Sequence, residues 1–215
     1  MEYDLYVVTD EMIAGGRSPS DIARLAVAGG ADVIQLRDKT RSGSELAAVA
    51  REIREITGRA GAGFFVNDHL GVALSCGADG VHLGQGDLAC DVARQLAPPG
   101  FLIGISVGSV VEACDAESDG ADYVALSPVF ATGSKPDAGA GHGLHLLRQI
   151  RAAVSIPVIA IGGISPANAG DIIDAGADGI AVISAVVGAA DITRAAHQMK
   201  AIVAARKASR DGRVR

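Results

Sequence analysis

The sequence predicts an α/β fold, a single-domain (β/α)₈ barrel of the TIM type, and three observations predict it. The tripeptide Gly-Ala-Asp occurs four times, at 30–32, 77–79, 120–122 and 176–178. Each copy closes a helix-like stretch and precedes a short apolar run, which reads as a helix C-terminus turned by Gly and followed by a buried strand. The copies are 47, 43 and 56 residues apart, too long for one βα unit and suited to two. Strict alternation of strand and helix implies parallel strands with right-handed crossovers, and eight repeats favour closure into a barrel.

The strands are expected in order at Leu5 to Val8, Val33 to Leu36, Phe64 to Val66, Gly80 to Leu83, Leu102 to Ile105, Tyr123 to Leu126, Pro157 to Ile161 and Gly179 to Val182. Between them lie amphipathic segments. In the one from Leu46 to Ile56, residues Leu46, Val49, Ala50, Ile53 and Ile56 share a face. An open doubly wound sheet is the alternative, but Thr9-Asp10-Glu11-Met12 is not the GxGxxG expected after its first strand. The barrel domain is expected to span 1–205. The segment 206–215 carries five basic residues and little apolar content, so it is expected to fray as a disordered tail.

Hydrophobic residues form 49% of the 215 and aromatics 3%, so a full core is expected, built from Ala, Val, Ile and Leu. The formal charge of −6 argues against nonspecific binding to nucleic acid or to an anionic membrane. Cys76, Cys90 and Cys114 form no CxxC and read as reduced thiols. With no signal-like N-terminus and no apolar run of about 18 residues, a cytoplasmic protein is expected. A homodimer is compatible with a sequence that leaves the oligomeric state open.

Barrel enzymes assemble their sites from the loops that follow the strands. Reading those positions gives Gln35, Arg37 and Lys39 at strand two and Asn67, Asp68 and His69 at strand three. Strand four gives Gln85 and Asp87, and strand five Ser106. Thr132, Gly133, Ser134 and Lys135 follow strand six, Gly162 and Gly163 strand seven, and Ser184 strand eight. Arg37, Lys39 and Lys135 suit a phosphate or pyrophosphate. Asp68 and Asp87 suggest Mg²⁺, which takes one or two carboxylates together with phosphate oxygens and water, although Asp87 also suits a helix N-cap. The glycine pair and Ser184 sit where many barrels bind a phosphate monoester. His82 alternates with Val81 and Leu83 and could point into the barrel, as a structural or a functional residue.

The ordered motifs Gln35-Leu36-Arg37-Asp38-Lys39, Asn67-Asp68, Gly84-Gln85-Gly86-Asp87, Ser106, Thr132-Gly133-Ser134-Lys135, Gly162-Gly163 and Ile183-Ser184 resemble those of the thiamine-phosphate synthase family. The resemblance runs from about Tyr6 to Ser184. It implies condensation of an aminopyrimidine methyl diphosphate with a hydroxyethylthiazole phosphate, releasing pyrophosphate. It further implies that Gln35, Arg37, Lys39, Asn67, Ser106 and Lys135 hold the diphosphate substrate, with Arg37, Lys39, Lys135 and Ser106 catalytic. Asp68 and Asp87 would bind Mg²⁺, and Thr132, Gly133, Ser134, Gly163, Ile183 and Ser184 the thiazole phosphate. His69 departs from a pattern that often carries a second Asp. The Gly/Ala-rich segment after Lys135 is expected to be a mobile loop that closes over the substrates. A thiazole tautomerase is the nearest rival, but its relatives generally lose the diphosphate motifs and carry a catalytic His near Ser127-Pro128. A noncatalytic sensor of the phosphorylated ligands would not need both Asp68 and Asp87.

Overall fold

The computed structural model describes residues 1–134 and 139–213, with side chains as far as Arg210. Eight parallel strands close into a barrel in sequence order: β1 (Leu5–Val8), β2 (Val33–Leu36), β3 (Gly63–Asn67), β4 (Gly80–Leu83), β5 (Leu102–Val107), β6 (Tyr123–Leu126), β7 (Val158–Ile161) and β8 (Gly179–Val182). Five of the eight expected spans match residue for residue. The other three shift by one or two residues at their ends. The helices are α1 (Pro19–Ala28), α2 (Gly43–Ala60), α3 (Leu70–Cys76), α4 (Cys90–Leu96), α5 (Val110–Ser118), α6 (Gly143–Ala153), α7 (Ala169–Asp174), the single turn α8 (Ser184–Val187) and α9 (Ile192–Arg213). No helix among the described residues is long and apolar enough to cross a membrane.

The repeated Gly-Ala-Asp is the joint of the fold. Gly30, Gly77, Gly120 and Gly176 all have φ between 67° and 106°, the left-handed turn that ends a helix at little cost for glycine. The aspartate that follows does more than fill a polar turn. Asp32, Asp79, Asp122 and Asp178 accept the backbone N–H of Leu5, Phe64, Ile103 and Val158, at 2.9, 2.8, 2.7 and 2.8 Å. Each thus fastens its own even-numbered strand to the start of the odd-numbered strand before it. Each also meets a cation from an outer helix: Lys200, Arg54, Arg94 and Arg151, in that order.

Two apolar layers result. The outer one, between strands and helices, is built largely of Ala, Val, Ile and Leu, as the composition predicts. The barrel interior mixes such residues with large rings. All three tyrosines and Phe65 lie there with Val8, Val33, Ala125, Ile159, Ala181 and Ile183. Tyr3, Tyr6 and Phe65 pack around Tyr123 with ring centroids 5.2 to 6.1 Å apart. Large rings fit because glycine faces them. A Cβ on Gly104 would lie 2.0 Å from Tyr123, and one on Gly80 would lie 2.4 Å from Phe65.

The segment read as a basic tail, 206–215, is described as far as residue 213. Residues 206–213 continue α9 instead of fraying. Arg206 pairs with Asp174 at 3.2 Å, and Lys207 pairs with Asp4. Two of the charges that made the segment look unstructured, Arg206 and Lys207, are thus matched by acids.

Candidate active site

The positions singled out in the sequence gather at the C-terminal rim of the strands. Asn67 is the last residue of β3 and Ser106 the penultimate residue of β5. Arg37, Asp68 and Asp87 follow β2, β3 and β4. Three hollows adjoin there.

The first is the barrel mouth, lined by Tyr6, Gln35, His82, Ser106 and Tyr123 among others. Its polar groups form one chain. Gln35 Nε2 donates to the Tyr6 hydroxyl at 2.9 Å, and the Tyr6 and Tyr123 hydroxyls lie 3.0 Å apart. The Tyr123 hydroxyl is 2.9 Å from His82 Nδ1, and His82 Nε2 is 2.8 Å from Ser106 Oγ. Gln85 Nε2 donates to the Ser106 carbonyl at 2.7 Å.

The second hollow lies between the loops after β1, β2 and β6. Asp10, Arg37, Lys39, Gly133 and Ser134 line it. Arg37 is held firmly. Its Nη1 donates to Asp10 Oδ2 at 2.9 Å, and its backbone N–H donates to Thr9 Oγ1 at 3.1 Å. Its Nε is buried with no acceptor among the described residues. Asp38 stiffens the loop between the two cations. Burial alone would push its carboxyl up, but the backbone N–H groups of Arg41 and Thr40 and the Thr40 hydroxyl bring it down to about 2.

The third hollow is lined by Thr132, Ser134, Gly162, Gly163, Ile183 and Ser184, with Ser127, Pro128 and Ile161. Five of the six residues assigned to thiazole phosphate therefore share one cavity, while Gly133 faces the second hollow. Ser134 lines both. Gly162 and Gly163, at φ 103° and 62°, let the chain pass against the β6 loop. A Cβ on either would come within 2.4 to 2.6 Å of Pro128 or of the Ala131 carbonyl.

Asp68 and Asp87 meet where β3 and β4 end. Burial and a side-chain hydrogen bond from Asp87 raise the Asp68 carboxyl to about 6, against a weaker pull from His69 and Lys39. Asp68 also has φ 62°, the one left-handed residue other than glycine among those described. Asp87 does not cap α4, whose N-cap is Ala89. Its Oδ2 instead accepts the Gly84 N–H at 2.7 Å and closes the β4 loop. No cluster of three or more His, Cys, Asp or Glu suited to a metal occurs among the described residues.

The residues 5–186 match the family model described as thiamine monophosphate synthase. The chain belongs to that family. Among similar proteins, the thiamine-phosphate synthase of Methanoculleus marisnigri is 64% identical over 208 residues, covering 97% of this chain and 99% of that one. That of Methanoregula boonei is 60% identical over 200 residues, covering 93% of each. The solved thiamine phosphate pyrophosphorylase of Pyrococcus furiosus superposes with a TM-score of 0.88 at 42% identity, over 94% of this chain and 96% of that one.

Within this family frame, several site residues escaped the sequence reading. Lys135 and part of the loop expected to close over the substrates lie outside the described residues. Asp10 belongs to a stretch that the sequence marks only as lacking a glycine motif, and the structure sets it two residues after β1, against Arg37. Tyr6 and Tyr123 read as ordinary strand residues. The signal that could have found them is alternation. Tyr6, Gln35, His82 and Ser106 all occupy inward positions in the observed registers.

Proposed function

We propose that the protein condenses 4-amino-2-methyl-5-(diphosphooxymethyl)pyrimidine with 4-methyl-5-(2-phosphooxyethyl)thiazole, giving thiamine phosphate and pyrophosphate. The observation that carries this reading is the pair of adjoining hollows that share Ser134. One presents Arg37 and Lys39, the other Thr132, Gly163 and Ser184. Two phosphorylated reactants fit such a pair, and a tautomerase acting on one would need a single hollow. The net acidity and the three free cysteines suit a catalyst working in the reducing cytoplasm.

The reaction asks for charge stabilisation and alignment. The C–O bond to the diphosphate breaks with both electrons leaving on oxygen, and the aminopyrimidine spreads the positive charge left behind. The thiazole nitrogen supplies its lone pair to the same carbon, so no protein nucleophile is required. Arg37, whose buried Nε lacks an acceptor among the described residues, and Lys39 would receive the charge growing on the leaving group, a role the family resemblance extends to Lys135. Gln35, Asn67 and Ser106 would hold the pyrimidine. Thr132, Gly133, Ser134, Gly163, Ile183 and Ser184 would clasp the thiazole phosphate, so that the two rings meet as a near-attack pair.

Mg²⁺ fits the donor set. Two neighbouring carboxylates, that of Asp68 raised to about 6 by burial and by Asp87, offer hard oxygen ligands to a cation, with diphosphate and water completing the shell. When bound there, the ion would neutralise charge on the departing diphosphate. The test is incubation of pure protein with both substrates, with and without EDTA, followed by chromatography for thiamine phosphate. Product formation that EDTA abolishes is expected. No product in the presence of Mg²⁺ would overturn the reading.

A further inference from the structure

The polar chain in the barrel mouth has a direction, and the direction can be read from proton counting. Gln35 Nε2 donates to the Tyr6 hydroxyl, so the single phenolic proton of Tyr6 must go elsewhere. The oxygen within reach of it is that of Tyr123, 3.0 Å away. Tyr123, accepting there, sends its own proton to His82 Nδ1 at 2.9 Å. In that order Nδ1 accepts and carries none. The same order puts the imidazole proton on Nε2, 2.8 Å from Ser106 Oγ. A hydroxyl that accepts from one side keeps its own proton for the other. Ser106 and Gln35 both line the mouth of the barrel.

We propose that His82 is a positioning residue: held as the Nε2–H tautomer by the buried relay Gln35–Tyr6–Tyr123, it donates to Ser106 and leaves the Ser106 hydroxyl proton for the diphosphate. This rests on the functional reading above. The opposite tautomer would make Ser106 donate to His82 and turn only lone pairs toward an anion.

Burial supports the relay. Tyr6 and Tyr123 are 1% and 0% exposed. Burial pushes both phenols well above the ordinary tyrosine range, so neither loses the proton the chain depends on. The tyrosine rings cannot swing away. Tyr123 is wedged over Gly104 and against Phe65. A second-sphere hydrogen bond that fixes a histidine tautomer is a recurrent device wherever the other ring nitrogen has work to do.

Two measurements test this, neither requiring turnover. In ¹⁵N-histidine-labelled protein, long-range ¹H–¹⁵N correlations should show His82 protonated at Nε2 and bare at Nδ1. Affinity for inorganic pyrophosphate with Mg²⁺, measured calorimetrically, should fall about tenfold in Tyr123→Phe, which removes the donor to Nδ1, and in His82→Asn, whose amide stops short of Ser106. His82→Gln, whose amide N–H can take the place of Nε2–H, should stay within about twofold of the parent. Thermal melting checks that the variants fold, and a merely structural histidine would show no such split between Asn and Gln. A proton on Nδ1, or equal pyrophosphate affinity in the Asn and Gln variants, overturns the proposal. Lack of condensation by the unaltered protein, with the tautomer and affinities as expected, sinks the functional reading alone.

Discussion

Asp68 carries two local penalties that its neighbours do not relieve. Its backbone sits at φ 62°, a region that costs most side chains about 1 kcal/mol or more and that Asn and Asp tolerate best. Its carboxyl, raised to about 6 by burial and by Asp87, is charged at neutral pH against its surroundings. A folded-state value above the unfolded one makes Asp68 a destabilising group above about pH 6, and that cost vanishes below about pH 4. Asp68→Asn keeps the backbone preference and removes the charge. It should stabilise the metal-free protein at pH 7 by roughly 1 kcal/mol, the solvent around a half-exposed group reducing the full effect, while the Mg²⁺ needed for half-maximal rate rises sharply. Denaturant midpoints with EDTA and a Mg²⁺ titration of turnover check the two halves. Arg37→Ala should lower turnover by roughly 10²–10³, the usual loss when one stabiliser of developing charge is removed. Steady-state rates near those of the parent would remove Arg37 from its role.

At the scale of the element, the strand is a four-to-six-residue apolar run that is stable only because both ends are tied. The four repeated aspartates do the tying at the lower end, and their worth can be measured. Ile103 is fully buried, and its N–H has Asp122 as acceptor at 2.7 Å. Asp122→Ala leaves that N–H unmet and strips Arg94 of a partner, so a loss of roughly 1–3 kcal/mol is expected by urea unfolding. Asp122→Asn retains an oxygen acceptor and should cost less. Strands were legible because β-branched runs between Gly and Asp leave little choice of structure. The aspartates' task was less legible, because their partners are distant. Even so, a spacing could have pointed to it: Arg54, Arg94 and Arg151 precede Asp79, Asp122 and Asp178 by 25, 28 and 27 residues.

For the whole molecule, closure brings the last helix back to the first strand, and charge pairing marks the seam. Lys200 reaches Asp32 at 2.7 Å and Asp4 at 3.0 Å, and Lys207 also meets Asp4. Burial pushes Asp4 upward, but hydrogen bonds from Lys207 and Lys200 outweigh it and hold the carboxyl below its ordinary value. Burial likewise lowers Lys200, and its bonds to Asp32 and Asp4 reverse that and raise it. Asp4 therefore adds stability above about pH 4, lost as pH falls through its depressed value. Lys200 adds stability below about pH 10, lost as pH rises through its elevated one. Between these limits the contribution of the seam itself should be constant. The stability difference between the parent and Asp4→Asn should shrink as pH drops from about 5 toward 2. A difference that stays constant across that range would show that the seam contributes nothing through Asp4.

The order of strands, the eightfold alternation and most of the rim residues follow from local chemistry, since apolar runs, glycine turns and polar residues placed after strands are short-range signals in the chain itself. What tertiary structure alone decided is which of those polar groups touch. Asp10 reaches Arg37, Asp68 meets Asp87, and Gln35 speaks to Ser106 through two tyrosines and a histidine from three other strands. Those contacts depend on barrel closure and strand register, which set the partner across a gap of dozens of residues. A one-residue slip in any strand would turn its inward side chain outward. That long-range geometry is written only in how the eight strands pack together.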